Sequence, residues 1–168
     1  MSTVLSISNK IFSLKGQMFI DDENGERRYD AKGEFAFFCP TWTLKNSTKE
    51  LATVVKKFWA WSPTWNVQSE IGNFVIKRKL FSWTRTYNVV GGSYDGAIIK
   101  GNIWDLKFEI SHKDKCIASA KAKILSLRDT HNIQVHETKN DAELFTTITM
   151  VVLHLDKQDD NNGSDTTD

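Results

Sequence analysis

The chain has 168 residues, of which 26% are charged and 40% hydrophobic, with a formal charge of +1. Such a length suits one domain with a sizeable core, and the composition is that of a soluble globular protein rather than a disordered or wholly membrane-embedded one. The charge is unevenly spread: without Asp156 to Asp168, which holds five acids and one base, 21 basic and 16 acidic residues remain.

The opening, "MSTVLSISNKIFSL", lacks a basic segment followed by a long apolar one, so no signal peptide is expected. A repeat follows. "YDAKGEF" (Tyr29 to Phe35), "ATVVKKF" (Ala52 to Phe58) and "VIKRKLF" (Val75 to Phe81) align without gaps, their final phenylalanines 23 residues apart. "ASAKAKI" (Ala118 to Ile124) is a fourth copy. A short apolar strand precedes each: "QMFI", "TWTLK", "TWNVQ" and "LKFEIS". Turn formers separate the members of each pair, at Asn24-Gly25, Asn46-Ser47, Gly72-Asn73 and Lys113-Asp114. Each unit therefore reads as a β-hairpin.

Between the third and fourth copies, Tyr87 to Val90 and Ala97 to Lys100 read as strands around the turn "GGSYDG". "HNIQVHE" (His131 to Glu137) is a further strand. Eleven or twelve short strands with regular turns predict a meandering barrel, since a unit of 23 residues is too short for a four-stranded propeller blade.

The run "DAELFTTITMVVLHLD", Asp141 to Asp156, is the most apolar stretch. As a helix it would be about 24 Å long, short of the roughly 20 apolar residues of a membrane span. Asn140 and Glu143 form a capping-box pattern, and Leu144, Phe145, Ile148, Val151, Val152 and Leu155 recur at helical spacing. Met150 and Leu153 fill much of the remaining circumference, so the helix should be buried on all sides. A twelve-stranded barrel, too wide for its own side chains to fill, offers a place for it. The domain is thus placed at 1–156 with its helix at 141–155. The acidic stretch 157–168 has no apolar residue and is expected to be a disordered, solubilising end; the alternative is an acidic lid over a basic surface.

Cys39 and Cys116, without a CxxC, read as reduced, buried thiols. No hydrolase, zinc-protease or nucleotide-loop motif is found, so no catalytic residue is assigned and neither cofactor nor metal is expected. "DDENG" (Asp21 to Gly25) fails as a calcium loop, because Ile20 and Ala31 would occupy ligand positions; it is better read as a turn. His131 and His136 should face opposite sides of a strand, and His154 within the apolar helix reads as a hydrogen-bonded helix-end residue.

The most suggestive pattern is basic. Lys56 and Lys57, Lys77, Arg78 and Lys79, and Lys121 and Lys123 fall at equivalent places in three hairpins. Together they would form a rim that attracts phosphate or anionic headgroups. Trp59, Trp61 and Trp83 beside them suit a membrane interface; stacking on nucleic acid is the disfavoured alternative. Neighbouring residues on a strand face opposite ways, so only some of these bases can point outward, and solvated lysines that keep sheets soluble are the ordinary alternative.

"KIFSLKGQMFIDDENGERRYDAKGEF" (Lys10 to Phe35), "LATVVKKFWAWSPTWNV" (Leu51 to Val67), "FVIKRKLFSWTRTYNV" (Phe74 to Val89), "IKGNIWDLKFEI" (Ile99 to Ile110) and the apolar C-terminal helix together resemble the LURP-one-related family. That family shares the fold of the tubby C-terminal domain and the phospholipid scramblases. The resemblance implies a mainly β protein, a closed antiparallel barrel of about twelve strands around a buried hydrophobic C-terminal α-helix. It implies less about activity; the missing enzyme motifs, the missing signal peptide and the short apolar run lead to the expectation of a non-enzymatic binding or scaffold module, cytoplasmic or peripheral at a membrane, with no stable transmembrane span. The basic rim with its tryptophans points to an anionic phospholipid or phosphoinositide as the partner, with an unidentified protein as the other candidate. A protein-interaction platform, or a scramblase-like membrane protein whose helix leaves the barrel, are the alternatives. No segment matches tubby's lipid-binding motif or the calcium segment of scramblases.

Overall fold

A computed structural model describes residues 3–8, 16–34, 40–102, 107–121, 130–137 and 140–164. Within them the chain forms strands β1 (Thr3–Ser8), β2 (Gln17–Asp22), β3 (Arg27–Glu34), β4 (Thr41–Lys45), β5 (Glu50–Lys56) and β6 (Thr64–Ser69). Strands β7 (Phe74–Arg78), β8 (Thr86–Val90), β9 (Ile98–Asn102), β10 (Lys107–His112), β11 (Lys115–Lys121) and β12 (Thr130–Val135) follow, and then helix α1 (Asn140–Ser164). Each strand pairs antiparallel with its sequence neighbours, and β1 pairs with β12 to close the barrel. Closure leaves no strand edge to template association. The mainly β barrel around one helix is as the sequence led us to expect, with one addition. The addition is the first strand, Thr3–Ser8, which precedes the first repeat unit and pairs with both β2 and β12.

The expected turns fall where strands reverse. At Lys113-Asp114 both residues take positive φ, 49° and 62°, the conformation of the two-residue turn whose twist matches flanking strands. In "DDENG" the Asp22 carboxylate accepts hydrogen bonds from the Asn24 and Glu26 amides, at 2.9 and 3.0 Å, as a hairpin turn does.

Alternation along the strands fills the barrel. Leu5, Met18, Ile20, Ala31, Trp42, Leu44, Val54, Trp65, Val67, Ile76, Tyr87, Val89, Ile99, Ile110, Ile133 and Val135 are buried at alternate strand positions. Gly33 sits opposite Trp42 in the ladder, and a Cβ there would come within 2.7 Å of the indole. The missing side chain makes room for the ring.

These inward positions correct the repeat. Trp42 and Trp65, and Leu44 and Val67, are equivalent at a step of 23, as the sequence suggested. The next step is 22: Val54 matches Ile76, Trp65 matches Tyr87 and Val67 matches Val89. Lys56 is therefore the counterpart of Arg78, and Lys57 that of Lys79.

The helix runs through the barrel and is buried at every residue from 144 to 156. Phe145 stacks face to face on Tyr94, 4.1 Å between centroids, and meets Phe74 edge-on at 5.6 Å. Complete burial of each Leu, Ile, Val or Phe contributes about 1.5–3 kcal/mol, so the helix supplies much of the core. At its first turn the Glu143 carboxylate accepts from the Tyr29 hydroxyl at 2.8 Å and from Arg28 at 3.0 Å. Burial, then Glu143, raises the Tyr29 pKa above the usual range for tyrosine.

Helix α1 does not stop at Leu155. It continues to Ser164, so residues 157–164 of the expected disordered end are helical, and 165–168 lie outside the described residues. The reason is ionic and is found at the barrel mouth. Cys116 differs too: it is exposed, its thiol 3.6 Å from the Ala118 carbonyl, while Cys39 lies outside the described residues.

Candidate functional site

The antiparallel meander sends the β5–β6 and β7–β8 connections to the same end of the barrel. The two connections have one design. In each, the first hydrogen bond closing the loop runs from a lysine amide to a threonine carbonyl: Lys57 to Thr64 and Lys79 to Thr86, both 2.8 Å. In each, that threonine is buried and donates its hydroxyl to the carbonyl two residues back, Thr64 to Ser62 and Thr86 to Thr84, both 2.8 Å. The residues carried beyond these clasps are apolar and turned outward. Trp59, Trp61, Phe81 and Trp83 are 93, 101, 97 and 109% exposed, and Phe58 and Leu80 are more than half exposed. Single apolar side chains are common on protein surfaces; six on two adjoining tips are a concentration that the barrel itself does not use.

Charge surrounds the patch in two layers. Lys56 and Arg78 lie two residues beyond the inward-facing Val54 and Ile76, so alternation aims them into the mouth, where they meet the end of α1. Lys56 pairs with Asp159 at 2.7 Å. Arg78 holds both oxygens of Asp156, at 2.9 and 3.0 Å, and reaches Asp160 at 3.1 Å. Arg85 pairs with Asp156 at 3.3 Å and also with Asp160. The Tyr87 hydroxyl donates to Asp156 at 2.6 Å. Asp156 is 1% exposed, so its charge is held by two guanidinium groups and a phenol rather than by water.

These contacts explain why α1 persists. Acids near a helix C-terminus oppose the helix dipole, and α1 has no base in its last turn. Strands β5 and β7 and the loop before β8 supply the missing cations. The electrostatics agree. Burial pushes the Asp160 carboxyl up, but the hydrogen bond and charge of Arg78, with the charge of Arg85, outweigh it and leave the pKa low. Burial lowers the Arg78 and Arg85 pKa values, and their surroundings, Asp156 and Asp160 among them, reverse this and raise both. For Tyr87, burial and then Asp156 drive the pKa upward.

The outer layer is Lys57, Lys77 and Lys79, all exposed and without an ion pair among the described residues. The seven bases of the expected rim therefore divide. Lys57, Lys77 and Lys79 face out beside the tips with Trp59, Trp61 and Trp83. Lys56 and Arg78 face in and hold the helix. The side chain of Lys121, and Lys123 altogether, lie outside the described residues. Arg85, Asp156, Asp159 and Asp160 went unassigned in sequence. Their only signal was the opposite charge of the barrel and its tail, which is what an acidic lid would need.

The remaining polar groups converge less. His154 is buried, lies edge-on to Trp42 with ring centroids 5.8 Å apart, and shares a 2.9 Å contact with the Gln158 amide. Burial, then the Lys157 charge, lowers its pKa to about 4. On the outer wall, Ser119 Oγ lies 2.8 Å from His136 Nε2 in an open depression of about 500 Å³ that also includes Cys116, Glu109 and Lys100. Among the described residues no three metal-ligating side chains cluster, and no helix is long and apolar enough to cross a membrane.

A family model described as LURP-one-related matches residues 3–153. No curated protein and no solved structure matches the chain.

Proposed function

The chain belongs to the LURP-one-related family, and from that premise we propose that it is a non-enzymatic binding module for anionic phospholipid or phosphoinositide headgroups, cytoplasmic and peripheral at the membrane. The whole barrel, 1–156, acts as one tubby-like domain. The observation that supports this is the outer layer of the mouth: Lys57, Lys77 and Lys79, without an ion pair among the described residues, stand beside two exposed aromatic tips. Each lysine near an anionic surface contributes about 1 kcal/mol of attraction, within a Debye length of about 10 Å at 0.1 M salt. Lys56 and Arg78 act structurally in this reading, since α1 already occupies them.

Co-sedimentation with neutral and with phosphoinositide-containing liposomes, at two salt concentrations, tests it. Binding should be confined to the anionic liposomes and weaken with salt. Reversing Lys57, Lys77 and Lys79 to glutamate should abolish it without changing the melting temperature; binding that survives the triple reversal rejects this rim.

The scramblase-like alternative needs α1 to leave the barrel, against the burial of residues 144–156 and the ion pairs at both ends of the buried stretch. A protein-interaction platform draws support from the same apolar patch, and the lipid reading is favoured by the lysines around it.

A further inference from the structure

The two tips are copies of one loop. "KKFWAWSPTWNV", Lys56 to Val67, matches "RKLFSWTRTYNV", Arg78 to Val89, position for position at the step of 22. The match includes parts that the barrel needs, such as the threonine clasps and the inward Trp65 and Tyr87. It also includes parts that the barrel does not use. Phe58 corresponds to Leu80, Trp59 to Phe81 and Trp61 to Trp83, and all six side chains are exposed. In both copies an exposed lysine, Lys57 or Lys79, stands immediately before them.

From this duplication we infer that the two tips are a paired anchor that enters the boundary between headgroups and acyl chains of a lipid bilayer. The inference rests on the reading that this end of the barrel meets an anionic membrane, and it adds how the contact is made. Three observations favour a bilayer as the occupant. The four most exposed rings stand clear of the barrel on hairpin tips; a rigid partner must supply a socket for each, whereas a bilayer yields around them. Tryptophan with flanking lysine is the composition that settles at a membrane interface, ring in the apolar boundary and ammonium among the phosphates. Strands β6 and β7 are hydrogen-bonded neighbours, so the tips they join lie side by side and one flat surface can receive both.

The geometry also sets an orientation. The end of α1 lies at the same mouth as these tips, where Asp159 and Asp160 meet Lys56, Arg78 and Arg85, so both acids would be near the lipid. Anionic lipid would repel them. Lys56, Arg78 and Arg85 hold those carboxylates, which leaves Lys57, Lys77 and Lys79 to set the sign of the surface.

Tryptophan emission of the full chain, titrated with vesicles of phosphatidylcholine and phosphatidylserine, tests the anchor. Some vesicles should carry acyl chains brominated near the headgroup and others chains brominated near the terminal methyl. Emission should move to the blue and be quenched more by the shallow bromines, and the quenching should vanish when Trp59, Trp61 and Trp83 are all changed to phenylalanine. Trp61→Ala and Trp83→Ala should each weaken vesicle partitioning about tenfold. The double variant should weaken it about a hundredfold if both tips enter together. Unchanged melting temperatures identify these as surface effects.

Salt-sensitive binding without quenching, unaffected by either alanine, overturns the anchor and leaves headgroup binding standing. Quenching that persists in neutral vesicles and ignores salt keeps the anchor and overturns the headgroup reading. No binding to any vesicle overturns both. Vesicle-independent self-association lost in Trp61→Ala and Trp83→Ala also overturns the anchor, because the tips are then an interface between copies of the chain.

Discussion

Asp156 is the residue on which the barrel mouth converges. A carboxylate 1% exposed is tolerable only because Arg78, Arg85 and Tyr87 all reach it. Asp156→Asn keeps the shape and removes the charge that two guanidinium groups were placed to meet. Those groups are part-exposed and can turn to water, which limits the damage to roughly 2 kcal/mol. Urea denaturation should show a lower midpoint with an unchanged slope. His154 gives the chain a pH dependence of its own. Its pKa is about 4 in the fold against 6.5 for an ordinary histidine, so between those values the unfolded chain binds the proton that the folded one refuses. The stability is complete above pH 6.5 and falls as the pH drops to about 4, by about 3 kcal/mol in all. His154→Gln, which keeps a neutral polar group, should flatten this part of the curve of stability against pH. Asp160 acts in the acid range: its lowered pKa stabilises the fold above the usual aspartate range and that contribution disappears below it. The inward turn of Lys56 and Arg78 was within reach of the sequence, since each lies two residues after an apolar inward position. What no local pattern could supply was their partners, 103 and 78 residues further along the chain.

At the scale of elements, α1 was legible at its start and illegible at its end. An apolar circumference with a capping pattern identifies a buried helix from residues close together in sequence. The acidic end reads as disorder because its composition buries nothing; it is ordered by cations on β5, on β7 and in the loop before β8. The hairpins show the same limit. Turn formers and apolar alternation marked eleven strands, but the step of 22 between the second and third copies could be fixed only by seeing which side chains face inward. The first strand was missed because its partners are β12 and β2, the former at the far end of the chain. One consequence for α1 concerns Thr147 and Thr149, whose hydroxyls are buried without a hydrogen-bond partner among the described residues. Thr147→Val and Thr149→Val preserve shape and remove an unsatisfied group. Each should raise stability by about 1 kcal/mol, read as a higher denaturation midpoint; a lower one would mean that the hydroxyls are solvated.

At the scale of the molecule, the barrel has two unlike ends. One holds the first turn of α1, clasped by Arg28 and Tyr29, with the tight turns at Asn24-Gly25 and Lys113-Asp114. The other holds the ionic cluster and the aromatic tips. The burial of α1 inside a closed ring also constrains how the chain can reach its fold. Synthesis proceeds from the N-terminus, so the strands are made before the segment that fills them. Until residues 144–156 leave the ribosome, the growing sheet has an apolar face and nothing to lay on it. A ring already sealed between β1 and β12 would have to be threaded by the helix. The first strand and the last must therefore meet late, around a helix already in place, which makes the seam between the oldest and the youngest strands the final step in assembly.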